Sequence, residues 1–242
     1  MALALAYLCD VDSFTTVVIS GNNEKYEKAM EVLNQLNITS VRRHVPQLYN
    51  STFVVNKFLS LYPQNAPTAM QLKMLSVNLA RQDILDIMSS KHYIDSGWWL
   101  VFEDDIALAR PASEVREAVL LLLQFAVDDG IASFGMCSPN SCTDIKTVNS
   151  VEFAKCLGYC AHAMAYMSNK AQDWREKLDR IVPGTEHEPI HTQYAPDISM
   201  NHATKSKGGM WLAGLNVHSP ITDQHVGVLY QDRNRFKSEI GD

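Results

Sequence analysis

The sequence predicts an α/β fold with a mixed, mostly parallel central sheet. Over the first two thirds of the chain, short β-rich runs alternate with stretches of helical periodicity, which is the pattern of a parallel sheet with crossover helices. In addition, residues 98–102 form a continuous apolar run between a glycine and three acids, as in a central strand covered on both faces. Residues 1–242 are expected to form a single domain that is loop-rich from about residue 183.

The individual elements follow from local patterns. Short apolar or β-branched runs between turn residues predict the strands, which are 15–19, 40–45, 98–102, 131–136 and 162–167. Apolar residues spaced at three and four positions predict the helices. These helices follow the turn at Gly21, the N-cap residues Thr68 and Ser113, and Asn169. The strands and helices thus alternate up to about residue 181.

The composition argues against several classes of protein. The formal net charge is −6, from 21 basic and 27 acidic side chains, and no basic run exceeds two residues, which argues against a protein that binds nucleic acid through its phosphates. The apolar opening, residues 1–8, lacks a basic start and is followed by Asp10 and Asp12. Neither a membrane span nor a signal peptide is therefore predicted.

The cysteines predict no disulfide scaffold. Their number, five, is odd in a chain long enough to bury a core, so reduced thiols in the cytoplasm are expected. Cys156, Cys160 and His162 are spaced too widely for the usual zinc pattern, and buried free thiols are the preferred interpretation. Sequons at Asn37 and Asn50 permit glycosylation of a secreted chain but arise often by chance.

The most specific chemical feature is Glu103-Asp104-Asp105, directly after the apolar run. Three adjacent carboxylates at the edge of a sheet repel one another and are costly to desolvate without a cation. In an extended strand, Glu103 and Asp105 point to one side and Asp104 to the other. A hard divalent ion, Mn²⁺ or Mg²⁺, takes few protein carboxylates and completes its shell with water and phosphate oxygens. The triplet therefore predicts a nucleotide-diphosphate site beyond the strand; the alternative is a solvated acidic turn before Pro111.

The segment V-F-E-D-D-I-A-L, residues 101–108, resembles the DXD-type acidic motif of glycosyltransferases with the GT-A fold. In particular it resembles family 25, found in lipopolysaccharide biosynthesis and collagen galactosylation, together with the compact versions encoded by large algal viruses. The segments A-H-A-M-A-Y-M-S-N-K-A, residues 161–171, and S-P-I-T-D-Q-H-V-G, residues 219–227, are similar to downstream elements of that family. The resemblance spans most of the chain in patches.

This resemblance implies a metal-dependent, inverting transfer of a sugar from a UDP- or GDP-linked nucleotide sugar to a hydroxyl of a glycan or glycoprotein. It assigns Glu103 and Asp105 to the metal and, with Asp104 beside them, to the donor. A third metal ligand in such enzymes is commonly a histidine near the carboxyl end, here His225 or His218, of which His225 is preferred. The expected compartment is the cytoplasm, that of the host for a viral chain.

Further roles are expected around the donor. An inverting displacement needs one general base, and Asp197 matches a later aspartate of the family; its alternative is a first-turn acid of a helix. Lys205 and Lys207, beside two glycines, are expected to close on the diphosphate, or else to lie in a plain solvated loop. Asn22 follows the first strand, where GT-A proteins hold the nucleoside, and its alternative role is a helix cap.

Two other functions are considered. Residues 187–191, His-Glu-Pro-Ile-His, satisfy the H-E-x-x-H pattern of zinc hydrolases. Pro189 argues against this function, because both imidazoles would have to lie on one face of a helix that a proline disfavours. The other alternative is a catalytically inactive protein that binds a carbohydrate or a nucleotide sugar on the same fold, which leaves the three acids unexplained.

Overall fold

The computed structural model describes residues 14–149, 151–159, 162–179, 204–214 and 225–231. The helices in these ranges are α1 (Asn23–Gln35), α2 (Thr52–Leu61), α3 (Ala69–Met88), α4 (Ala112–Phe125) and α5 (Ala171–Asp179). The strands are β1 (Thr15–Ile19), β2 (Val41–His44), β3 (Trp98–Glu103), β4 (Ile106–Leu108), β5 (Ile131–Ser133), β6 (Gly135–Val148), β7 (Val151–Tyr159), β8 (Ala163–Met167), β9 (Met210–Gly214), β10 (His225–Gly227) and β11 (Leu229–Gln231).

Nine of the described strands form one sheet in the order β10-β6-β7-β9-β5-β8-β3-β1-β2, and β11 pairs with β4 in a separate ribbon. β1 is parallel to both β2 and β3, and β9 is parallel to β5. β8 lies antiparallel between β3 and β5, so β3 and β5 share a direction. β7, β8 and β10 run against the other six strands. The predicted α/β class with a mixed, mostly parallel sheet is confirmed.

The shared strand direction defines two edges. We call the side where β1 and β3 end the carboxyl edge, and the side where β3, β5 and β9 begin the amino edge. Glu103 lies at the carboxyl edge, opposite Ile19. Gly130 lies at the amino edge, where its carbonyl accepts a hydrogen bond from the amide of Met167, the residue opposite Trp98. At the usual rise per residue, the six residues of β3 separate the two edges by ~20 Å.

The central strand β3 is buried on both faces, as its apolar sequence predicts. Trp99 packs toward α3 and α5 and is 1% exposed, whereas Leu100 packs toward α1 and α4 and is fully buried. Burial of an apolar side chain of the size of leucine contributes about 1.5–3 kcal/mol. The helical layers thus cover the faces of the sheet, and polar groups collect at its edges.

The helix predicted from residue 68 is confirmed as α3. Thr68 accepts a hydrogen bond from the amide of Gln71, and the Gln71 side chain accepts one from the amide of Thr68, a capping box that satisfies two free backbone donors. No helix within the described ranges combines the length and the apolar character that a bilayer crossing requires.

Two predicted boundaries differ from the structure. The strand expected at 131–136 is divided at Phe134 into β5 and β6, because the chain leaves β8 there and pairs with β10 instead. Ser113 does not cap α4. That helix begins at Ala112 after Pro111, with no side-chain cap.

The long β6–β7 hairpin is not predicted, because much of its sequence is polar. Its paired strands bring Cys142 and Cys156 together in a disulfide bond, so the expectation of free thiols is wrong for these two residues. Cross-strand pairing determines the partner of a cysteine here, and sequence spacing carries no information about that pairing. The bond also removes Cys156 from a zinc site with His162. Cys160 lies outside the described residues.

Candidate functional site

The acidic triplet lies at the carboxyl edge. β3 ends at Glu103, Asp104 and Asp105 form a turn, and β4 begins at Ile106. We call residues 103–105 the acid turn. The end of β1 is its neighbour, because Ile19 is opposite Glu103 in the parallel ladder. The carboxyl groups therefore meet the residues that follow β1 at one edge of the sheet.

Glu103 forms an ion pair with an arginine of the same chain. Arg81 of α3 donates from Nη2 to Oε1 of Glu103 at 2.5 Å. The Arg81 side chain is 2% exposed and that of Glu103 is 24% exposed, and Arg81 also forms a hydrogen bond with Tyr166. A guanidinium this deeply buried requires a negative partner, since an uncompensated buried charge costs several kcal/mol. The charge of Glu103 is thus balanced from within the chain.

Asp104 is directed to the end of β1. Ser20, which is 1% exposed, donates its hydroxyl to Oδ2 of Asp104 at 2.6 Å. Burial raises the pKa of the Asp104 carboxyl above its ordinary value, and the negative charge of Glu103 raises it further. The hydrogen bond from Ser20 and the positive charge of Lys25 lower this pKa, but burial is the largest cause. A carboxylate whose ionised form is disfavoured by burial is stabilised by a cation beside it.

Asp105 is half-buried, and its oxygen Oδ1 is shielded from solvent. In the part of the chain that the structure describes, no three His, Cys, Asp or Glu side chains converge on a position that suits a metal ion. With Glu103 paired to Arg81, the acid turn offers the carboxylates of Asp104 and Asp105. Two carboxylates supplemented by water and phosphate oxygens are a typical shell for Mg²⁺.

Besides His44 at the end of β2, two histidines on the other side of the acid turn lie at the carboxyl edge. His162 is 1% exposed, and its carbonyl accepts the amide N–H of Glu103 at 2.7 Å. The backbone of His225 is opposite Cys137 in the β6–β10 pair. Cys137 lies two residues beyond Gly135, which packs against the His162 ring. The backbone therefore brings the predicted ligand His225 to the same edge as the acid turn.

Asn22 caps a helix. Its Oδ1 accepts a hydrogen bond from the amide of Lys25 at 3.1 Å, at the start of α1. The neighbouring Asn23 accepts from Arg43 at 2.7 Å, and Arg43 also donates to the carbonyl of Ser20 at 3.1 Å. The capping alternative thus accounts for Asn22, and contact with a nucleoside stays a prediction.

Lys205 and Lys207 lie at the amino edge, just before β9. Nζ of Lys207 is 3.8 Å from Oδ1 of Asp129, which precedes β5. About 20 Å of sheet separates this edge from the acid turn, and a lysine side chain does not span that distance. The structure therefore does not bring these lysines to the acid turn, and their contact with a diphosphate stays a prediction. The physical reason is that β9 is parallel to β5, so the loop before it belongs to the opposite edge.

Several predicted residues fall outside the described ranges. The proposed base Asp197, the alternative ligand His218 and residues 187–191 are among them. Their predicted roles stay predictions.

Three residues that contact or influence the acid turn are not predicted from the sequence. Ser20 could have been found by the rule that located the acids, because it is the first polar residue after a predicted parallel strand. Arg81 is the charged residue among the apolar positions Leu79, Ile84 and Leu85 of the predicted helix, which is a signal for a buried ion pair. Lys25 lies in the first turn of α1, and no sequence pattern connects it with Asp104.

The chain is similar to known proteins in overall shape alone. No protein-family description matches the sequence, and no curated protein matches it. One similar solved structure is a putative glucose-1-phosphate thymidylyltransferase from Bacillus anthracis, at 10% identity and a TM-score of 0.40 over 83% of this chain and 89% of that one. Another is mannose-1-phosphate geranyltransferase from Thermus thermophilus, at 12% identity and a TM-score of 0.40 over 83% of this chain and 73% of that one.

Proposed function

We propose that the chain is a divalent-cation-dependent transferase that binds a nucleotide sugar at the acid turn and moves the sugar to a hydroxyl of a glycan or glycoprotein. The observation that carries this proposal is the pair Asp104 and Asp105 at the carboxyl edge, where burial disfavours the charge of Asp104. Ligands of open α/β sheets bind beyond the carboxyl ends of the strands. The resemblance of residues 101–108 to the GT-A acidic motif supports the donor class.

The residues of the acid turn fit a hard divalent cation, Mn²⁺ or Mg²⁺. Asp104 and Asp105 supply carboxylate oxygens, and His225 is the proposed third ligand, while Glu103 is held by Arg81. So few protein ligands imply weak binding of the free cation, which strengthens when the phosphate oxygens of the donor complete the shell. When bound, the ion would stabilise the negative charge of the departing diphosphate.

Three residues beside the acid turn have proposed supporting roles. Ser20 orients Asp104 through its hydroxyl. Arg81 fixes Glu103 in position at the end of β3. Lys25, whose charge acts on Asp104, is the proposed partner of a donor phosphate in place of the two lysines at the amino edge.

The proposed transfer inverts the anomeric configuration. The acceptor oxygen forms a bond to the anomeric carbon while the bond from that carbon to the diphosphate oxygen breaks, and the diphosphate leaves with the electron pair. Asp197 is the proposed general base that takes the proton of the acceptor hydroxyl. The acid turn and its neighbours contribute by holding the donor in line with the acceptor.

Titration of the 242-residue chain with Mn²⁺, followed by UDP-glucose or GDP-mannose, tests the proposal. Asp105→Ala should lose both the metal-dependent rise in melting temperature and the turnover of the donor. Asp128→Asn is the matched control, since Asp128 is an exposed acid in a turn, and it should keep both. Asp197→Asn should keep donor binding and lose turnover.

Two results would contradict the proposal. Metal-dependent donor binding that survives in Asp105→Ala would exclude the acid turn as the cation site. Metal-dependent donor binding without transfer or hydrolysis, in the presence of a panel of glycan acceptors, would identify the inactive binding protein instead.

A further inference from the structure

Four lysines lie together at the amino edge, and two of them pair with one carboxylate. We call them the lysine cluster: Lys155 on β7, Lys170 before α5, Lys177 on α5 and Lys207 before β9. Oδ2 of Asp129 is 2.8 Å from Nζ of Lys155, and Oδ1 is 3.8 Å from Nζ of Lys207. Separate elements of the fold thus direct their positive charge to one place.

Packing holds the lysine side chains in position. Nζ of Lys177 and of Lys207 lie 4.4 and 5.3 Å from the ring centroid of Trp174, which is 1% exposed. The side chain of Lys170 lies against Gly130, and its ammonium donates to two carbonyls of the turn that follows α4. Side chains that are already ordered lose less conformational entropy when they bind a ligand.

Positive charge exceeds negative charge within the cluster. Burial lowers the pKa of the Lys207 ammonium, the charge of Asp129 raises it, and the charges of Lys177, Lys170 and Lys155 each lower it. The ammonium groups therefore repel one another at neutral pH, because Asp129 offsets only part of their charge. A bound anion with two negative charges would relieve this repulsion.

The cluster is accessible to a ligand from solvent. The side chains of Lys155 and Lys207 are 18% and 33% exposed. The chain as a whole carries a net charge of −6, so this excess of positive charge is a local departure from the average. Its location at the amino edge separates it from the acid turn by ~20 Å.

We infer that the lysine cluster is a binding site for a phosphate group, supplied either by inorganic phosphate or by a sugar monophosphate. A tetrahedral dianion is compact enough to contact several ammonium groups at once, and lysine binds phosphate as a point charge. The site requires no metal ion. It is therefore independent of the proposed transferase activity.

Calorimetric titration of the 242-residue chain in EDTA tests this inference, with inorganic phosphate in one arm and glucose 1-phosphate in the other. We expect saturable binding of one phosphate group per chain, weakened about tenfold by Lys207→Met and by Lys177→Met. Lys73→Met is the matched control, because Nζ of Lys73 is 5.3 Å from the ring of Tyr49, the distance at which Lys207 lies from Trp174. Tighter binding of glucose 1-phosphate identifies a sugar phosphate as the source, and equal binding identifies inorganic phosphate.

Three results would overturn the inference. The first is the absence of saturable heat in both arms. The second is unchanged affinity in Lys207→Met and Lys177→Met when their melting curves show folded protein; should Lys207→Met fail to fold, Lys177→Met alone decides. The third is loss of phosphate binding in Asp105→Ala. This variant leaves the lysine cluster intact, so the loss would locate the anion at the acid turn.

Discussion

The carboxyl and amino edges of the sheet balance their charges in opposite ways. At the carboxyl edge, a single buried guanidinium, that of Arg81, pairs with the first acid of a triplet. At the amino edge, Asp129 pairs with two lysines, Lys155 and Lys207, whose side chains pack on aromatic rings. Arginine is planar and rigid, whereas lysine is a flexible point charge. The carboxyl edge is therefore expected to depend on one interaction and the amino edge on several weaker ones.

Arg81→Met should have the largest effect on stability. It removes the guanidinium from its ion pair with Glu103 in a largely buried site, and the free energy of unfolding should fall by about 3–4 kcal/mol. Urea denaturation measures this change. The double variant Arg81→Met with Glu103→Gln should recover a large part of the loss, because it removes the uncompensated charge. A loss below about 1 kcal/mol would show that the ion pair is not what stabilises this edge.

The next largest loss of stability is expected from a glycine substitution, with one glycine compared at each edge. A methyl group at Gly135 would collide with the carbonyl of Leu229 and lie 2.6 Å from Nε2 of His162, so Gly135→Ala should cost about 2–3 kcal/mol. Gly130 has a φ of +67° and would meet only the flexible side chain of Lys170, so Gly130→Ala should cost about 1 kcal/mol. Thermal unfolding of both variants measures the difference. Equal losses would mean that the carboxyl edge is not the more tightly packed of the two.

Lys155→Met should have a smaller effect, because the amino edge has a second lysine beside the same acid. Asp129 would keep Lys207 at 3.8 Å, and the loss should be about 1–2 kcal/mol by urea denaturation. Lys207→Met should cost less than Lys155→Met, since the ion pair of Lys155 is shorter, at 2.8 Å. The reverse order would contradict the assignment of Lys155 as the principal partner of Asp129.

Asp104→Asn should have the smallest effect, and its sign should depend on pH. The pKa of Asp104 is raised in the folded state, so the folded state binds this proton more tightly than the unfolded state does. The contribution of Asp104 to stability therefore falls as the pH rises from 3.8 through the folded pKa. The amide lacks this dependence, so the variant should gain stability relative to the parent across that interval in EDTA. Melting temperatures of both proteins across this pH range measure the gain. With Mn²⁺ and donor present, the parent should have the higher melting temperature, because it alone keeps both carboxylate ligands, Asp104 and Asp105.

Local patterns predict those parts of the site that depend on one segment. The run before Glu103 predicts a central strand buried on both faces, and the acids after it are correctly located at the end of that strand. Thr68 predicts the start of α3 because its cap involves only residues of the same turn. The pairings of Glu103 with Arg81 and of Asp104 with Ser20 escape prediction, since each joins residues from different elements.

The alternation of strands and helices, the buried central strand and the acids that end it can be predicted from local patterns, because these features depend on residues that are neighbours along the chain. Which charges meet depends on how the strands and helices are arranged in space. The order of strands takes Lys207 to the edge opposite the acid turn, and the β6–β7 pairing joins Cys142 to Cys156. Such contacts depend on which distant segments pair, and local spacing does not encode that choice.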